Sequence, residues 1–136
     1  MRVFLDANIL FSAAKSDGAV RELLRQLLEA GHECWVDEYV VAEARRNLES
    51  KGAEALAVLE SLLPLLQVGS VRTPERVHRD IDWLPEKDRP VLAAAIRLRC
   101  DALVTGDRSH FGAGYGKVFG GVIIHSPRSL AESLFG

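Results

Sequence analysis

The chain has 136 residues, 48% hydrophobic and 26% charged, which suits one domain, 1–136, with a full core and excludes a disordered chain. No run approaches the roughly 20 apolar residues of a membrane-spanning helix, and no basic, then apolar, then small-residue leader opens the chain, so the expectation is an untargeted cytoplasmic protein. The net charge of -2 gives no mark of a nucleic-acid binder, yet 13 of the 17 basic residues are arginines, whose planar forks suit phosphate; an arginine-preferring coding sequence gives the same excess.

Val3 to Leu5 form a continuous apolar run, the pattern of a central parallel strand covered on both faces, and the run stops on Asp6. Asn8 to Ala14 begin a helix or a short turn leading into one. Asp17 is placed to cap a helix whose stripe is Val20, Leu23, Leu24, Leu27 and Leu28, with Gly31 as its stop. Glu33 to Val36 read as a second strand, followed from Asp37 or Glu38 by a helix with Val40, Val41, Ala44 and Leu48 facing inward and Glu43 beside that face. After Gly52 comes a leucine-rich helix, Ala53 to Leu66, whose last turn Pro64 disturbs. Leu66 to Val71 form a weak third strand, and a short helix is expected around Glu75 to Ile81.

Asp88 and Pro90 are start signals for a helix carrying Val91, Leu92, Ala95 and Ile96. Ala102 to Gly106 form a strand ending on Asp107, then a glycine-rich loop leads to a last strand, Val122 to His125, and a short helix to Phe135. Cys34 and Cys100 are too few and too scattered for a disulfide framework or a zinc site, so buried free thiols are expected. Strands alternating with helices predict an α/β/α sandwich around a parallel sheet of about four to five strands.

In such a sheet the carboxyl ends of the strands open into the ligand crevice, where Asp6 and Asp107 would stand. Glu43 and Asp88 are two further acids of interest. Singly, each has a structural explanation as a cap, a turn residue or a solvated edge. Gathered in one crevice, two carboxylates about 5 Å apart repel by roughly 3 kcal/mol at an effective dielectric of 20. Several such pairs call for a proton or a hard divalent cation, Mg²⁺ or Mn²⁺. Such an ion supports phosphodiester hydrolysis by an activated water.

Asp6-Ala7-Asn8 after an apolar strand, Glu43 within Val40 to Leu48, Asp88 within Asp88 to Ala95, and Leu103-Val104-Thr105-Gly106-Asp107 with His110-Phe111 together resemble the ordered motifs of a PIN domain. The resemblance covers nearly the whole chain. It implies a PIN-like fold and a Mg²⁺- or Mn²⁺-dependent ribonuclease, one or two ions, like the toxins of VapC-type toxin–antitoxin pairs. Carried over by position, Asp6, Glu43, Asp88 and Asp107 are the catalytic and metal-site acids. Asn8 and Thr105 would orient those acids by hydrogen bonds. Many relatives carry another acid where His110 stands, which puts the second ion in question. His110 is then assigned to RNA contact, beside Arg45, Arg46, Arg89 and Arg108, or has no role. The partners implied are RNA and a small antitoxin inserting a basic side chain among the acids, with a homodimer built on the leucine-rich helix.

Two rivals remain. An aspartate-nucleophile phosphatase would want a second aspartate where Asn8 stands and a late lysine, for which only Lys117 offers itself. A catalytically silent PIN-like domain binding RNA or protein has no reason to keep all four acids.

Overall fold

Val3, Phe4 and Leu5 have no exposure to solvent, and the strand they form, β1 (Arg2–Leu5), lies in the middle of the sheet. The computed structural model describes residues 1–70 and 81–136. Among the described residues six strands pair in the order β3-β2-β1-β4-β6-β5, where β2 is Glu33–Asp37, β3 Gln67–Gly69, β4 Ala102–Val104, β5 Val118–Phe119 and β6 Val122–His125. All neighbours are parallel except β5 and β6. Helices cover both sides, giving the expected α/β sandwich.

The short β5 is a departure from the glycine-rich loop expected between Asp107 and Val122. Gly120 and Gly121 have φ of +54° and +85°, which lets a two-residue turn fold β5 back on β6. Two residues carry too little pattern to be read as a strand from sequence. Gly112–Gly114 form one turn of 3₁₀ helix rather than loop. The expected third strand is present as β3, whereas the helix expected around Glu75 to Ile81 falls almost wholly outside the described residues.

The open choice after β1 resolves as a helix, α1 (Ala7–Lys15), which packs against α2 (Ala19–Glu29), α3 (Glu38–Lys51) and α4 (Leu56–Leu62). The cap of α2 is Gly18, not Asp17; the Asp17 carboxylate instead faces Arg21 and Arg25, at 3.9 and 3.7 Å. Gly31 stops that helix as expected, at φ +85°. Asp37 caps α3 by accepting from the Val40 N–H at 2.9 Å. The leucine-rich segment is broken at both ends: 3₁₀ turns over Ala53–Ala55 and Leu63–Leu65 flank α4, the second around Pro64, whose ring cannot continue an α-helical ladder. Leu59 is fully buried while Leu65 lies exposed.

Farther on come α5 (Arg89–Arg97), the four-residue α6 (Arg108–Phe111) and α7 (Pro127–Phe135), the last started by a reciprocal Ser126–Ser129 cap. Cys34 and Cys100 are buried free thiols, and burial pushes both up to about 12. Among the described residues no helix is long and apolar enough to cross a membrane.

Candidate active site

The strand order fixes where chemistry can gather. From β1 the chain moves outward through β2 to β3; β4 then returns to the other side of β1 and continues to β6. This reversal between β1 and β4 opens a crevice at their carboxyl ends, the switch point of a doubly wound sheet. Leu5 is in register with Val104, and the Asp6 N–H donates to the Val104 carbonyl at 3.1 Å. Asp6 and Thr105 therefore leave adjacent strands side by side.

Asp6 is only 6% exposed, and its carboxylate is held from three directions. Oδ1 accepts from the Ala7 N–H at 2.8 Å, capping α1; Oδ2 accepts from the Thr105 hydroxyl at 2.8 Å and from Asn8 Nδ2 at 3.2 Å. Burial nevertheless raises its pKa to about 6, opposed by the Thr105 and Ala7 hydrogen bonds and assisted by the negative charges of Glu43 and Asp88. Those charges act on Asp6 from α3 and from the start of α5, so the fold brings three of the predicted acids into one electrostatic neighbourhood.

Thr105, fully buried, uses everything a hydroxyl offers. It donates to Asp6 and accepts from Asn8 Nδ2 and the Asp107 N–H, each at 3.2 Å. Asn8 Oδ1 accepts from the Gly106 N–H at 2.8 Å, closing a network between the ends of β1 and β4. Asn8 and Thr105, the residues expected to orient the acids, are the side chains that hydrogen-bond Asp6 and the chain at Gly106 and Asp107. Replacing Thr105 with Val keeps the shape and deletes all three interactions; the expected result is a loss of about 1–3 kcal/mol in urea denaturation, because a buried carboxylate and a backbone N–H lose partners.

Asp107 and Asp88 converge on His110. The Asp107 side chain caps α6 through Oδ1, accepting from the His110 N–H at 3.2 Å, and its Oδ2 lies 3.0 Å from His110 Nδ1. Asp88 Oδ2 lies 2.9 Å from the same nitrogen. Asp88 occupies the cap position of α5 but caps nothing with its side chain, contrary to the sequence reading: its backbone is helical, φ −97° and ψ −17°, instead of the extended form that turns a cap side chain back onto the first turn. Its carboxylate is thereby left for the crevice.

Glu43 is half-buried on α3, one helical turn after Tyr39, whose hydroxyl donates to the Lys87 carbonyl at 3.2 Å. Glu43 and Asp88 both raise the Tyr39 pKa, after burial, the largest cause. Tyr39 thus ties α3 to the residue preceding Asp88, and Tyr115, whose hydroxyl donates to the Thr105 carbonyl at 2.8 Å, braces the opposite side. The sequence reading missed both tyrosines; the four-residue spacing of Tyr39 and Glu43 was the available signal.

Of the predicted site residues, Asp88, Asp107 and His110 come together with one ligand atom each within 4.8 Å of one another. Asp6 and Glu43 stand around this trio without joining it at that distance. The arginines divide. Arg45 Nε and Nη2 grip Glu60 at 2.8 and 3.1 Å, and Arg89 donates to the carbonyls of Leu84 and Asp82, bracing the loop before Asp88. Arg46 and Arg108 are exposed. Beside the acids lies a groove of about 340 Å³ lined by Asn8, Ile9, Ser12, Val20, Gly106, Asp107 and Pro127.

The donor set fits a divalent cation on one further observation. Asp88 Oδ2 and His110 Nδ1 are both sealed from solvent and neither has a hydrogen bond of acceptable geometry. Buried polar atoms with no partner are costly unless a ligand satisfies them.

A PIN-domain family model matches residues 2–109. In three dimensions the chain is similar to a chain of the VapBC2 complex of Rickettsia felis bound to a promoter DNA fragment: 16% identity, TM-score 0.64, covering 93% of this chain and 98% of that one. It is also similar to FitAcB from Neisseria gonorrhoeae, at 20% identity, TM-score 0.64 and coverages of 93% and 98%. A third likeness is to Mycobacterium tuberculosis VapC20, a toxin that cleaves the sarcin–ricin loop: 14% identity, TM-score 0.60, covering 85% and 98%. No curated protein sequence matches. With the family match spanning most of the chain, on a mostly parallel sheet whose switch point gathers acids, the chain belongs to the PIN domain family.

Proposed function

We propose that this protein is a Mg²⁺- or Mn²⁺-dependent endoribonuclease, the toxin of a toxin–antitoxin pair, acting in the cytoplasm with residues 1–136 as one unit. The observation that carries the reading is the gathering of Asp88, Asp107 and His110 at the β1–β4 switch point with two sealed, unpartnered donor atoms facing one another. Asp6, Glu43, Asp88 and Asp107 are the residues assigned to hold the ion. When bound, a divalent cation supplies an activated water and charge stabilisation at a phosphoryl oxygen. The chain's own part is positional. Asn8 and Thr105 fix the Asp6 carboxylate, Tyr39 and Arg89 hold the approach to Asp88, and the Asp107 cap on α6 sets the other wall.

A phosphatase using Asp6 as nucleophile is disfavoured, because both Asp6 oxygens are engaged in hydrogen bonds and the carboxylate is buried. The neighbours named as VapBC and FitAB assemblies support a small antitoxin as partner. Arg46 and Arg108, exposed near the acids, are assigned to RNA phosphate. For a second copy, the surface around exposed Leu65 and Val68, with half-buried Leu62 and Leu63, is the proposed contact.

The experiment is cleavage of a mixed pool of structured RNAs with Mn²⁺, Mg²⁺ or EDTA, beside a Glu43→Gln variant. Expected are metal-dependent cuts that EDTA abolishes and that the variant makes about a hundredfold more slowly or not at all. RNA bound but left intact under both metals would replace this reading with a binding-only domain.

A further inference from the structure

The acids at the switch point are the expected ion ligands of the preceding reading, on which this inference rests, but the atom at the centre of the observed cluster is a nitrogen. His110 Nδ1 stands 2.9 Å from Asp88 Oδ2 and 3.0 Å from Asp107 Oδ2. Two donors held about 2.1 Å from one ion at right angles would stand about 3.0 Å apart, which these two separations match. A protonated imidazole clamping the two carboxylates is the competing arrangement. Nδ1 carries at most one hydrogen, however, and neither close approach has hydrogen-bond geometry. Three donors converge without satisfying one another, as donors sharing an ion do.

We propose that His110 is itself a metal ligand through Nδ1, and that this nitrogen makes the site select a divalent transition ion such as Mn²⁺ over Mg²⁺. The chemical ground is that Mg²⁺ is a hard, strongly hydrated ion that takes oxygen donors, whereas imidazole nitrogen binds first-row transition ions with affinity rising along the series from Mn²⁺. The ring reaches the site by local geometry. His110 is three residues after Asp107 in α6, and Phe111, fully buried beside it, anchors the short helix to the core.

The test is electron spin-echo spectroscopy of Mn²⁺ bound to the wild-type protein and to His110→Asp and His110→Ala, together with competition between Mn²⁺ and Mg²⁺ for each. Unchanged far-ultraviolet circular dichroism and thermal midpoint identify variants that remain folded. Expected are a directly coordinated nitrogen in the wild type, its disappearance in both variants, and a fall of about tenfold in the Mn²⁺ to Mg²⁺ affinity ratio in His110→Asp, which restores an all-oxygen set. Mn²⁺ bound by the wild type without nitrogen coupling, or an unchanged affinity ratio, overturns the inference and leaves the acid site standing. Tighter Mn²⁺ binding by His110→Ala identifies the imidazole as a carboxylate clamp and also overturns it. A wild-type protein that binds neither metal overturns this inference and the nuclease reading together.

Discussion

Asp6→Asn is expected to abolish RNA cleavage while making the metal-free protein more stable. The first effect follows, on the proposed nuclease reading, from removing a charge that the ion would require. A few kcal/mol of lost transition-state stabilisation corresponds to about a thousandfold in rate, read as initial cleavage rate at saturating Mn²⁺. The second follows from burial. The folded pKa of Asp6, about 6, lies above its ordinary value of 3.8, so the folded state holds the proton more tightly than the unfolded chain does. That contribution to stability is fully present below the unfolded pKa and is lost as pH rises through about 6.

At neutral pH the ionised, buried carboxylate therefore costs up to about 3 kcal/mol, from about two pKa units at 1.36 kcal/mol each. An asparagine escapes that cost but turns its amide nitrogen toward one of those buried donors, at about 1–3 kcal/mol, leaving a net gain of up to about 2 kcal/mol at pH 7. Urea denaturation from pH 4 to 8 without metal checks the sign: the variant gains on the wild type as pH rises and loses the advantage toward pH 4. On the proposed reading saturating Mn²⁺ is expected to reverse the order, because only the wild type would bind the ion tightly enough to be stabilised by it. A variant less stable than the wild type at pH 7 without metal would mean that Asp6 is held chiefly by its hydrogen bonds.

Phe111→Ala is expected to cost about 3–5 kcal/mol, a large share of the 5–15 kcal/mol that holds an ordinary domain together. Phe111 is fully buried, and the helix it ends has four residues, too few to persist on its own hydrogen bonds. The side chain that anchors α6 therefore also fixes Asp107 and His110. Thermal unfolding should show a large drop in midpoint. Mn²⁺ titration at low temperature, where the variant is still folded, should show weakened binding; Phe111→Leu, which refills part of the space, should recover much of both. Full Mn²⁺ affinity in a destabilised but folded Phe111→Ala would separate the packing of α6 from the geometry of the site.

The frame is legible in local pattern. Unbroken apolar runs at Val3 to Leu5 and Ala102 to Val104 mark strands covered on both faces, and the acids that end them fall at the sheet's carboxyl edge because a parallel sheet has only one such edge. Asn8 and Thr105 were legible for the same reason, being tied to those strand ends by a few residues of chain. Which donor atoms meet depends on how the elements pack. Arg45 is committed to Glu60 across two helices, Asp88 is freed from capping by one backbone conformation, and β5 exists only because two glycines fold it onto β6. His110 passes from a loop residue to the centre of a donor cluster because the head of α5 and the whole of α6 are packed independently against the core and their side chains meet in the crevice. Local pattern records burial and backbone preference, whereas the 2.9 Å between Asp88 and His110 is set by how separate elements pack, which residues adjacent along the chain do not encode.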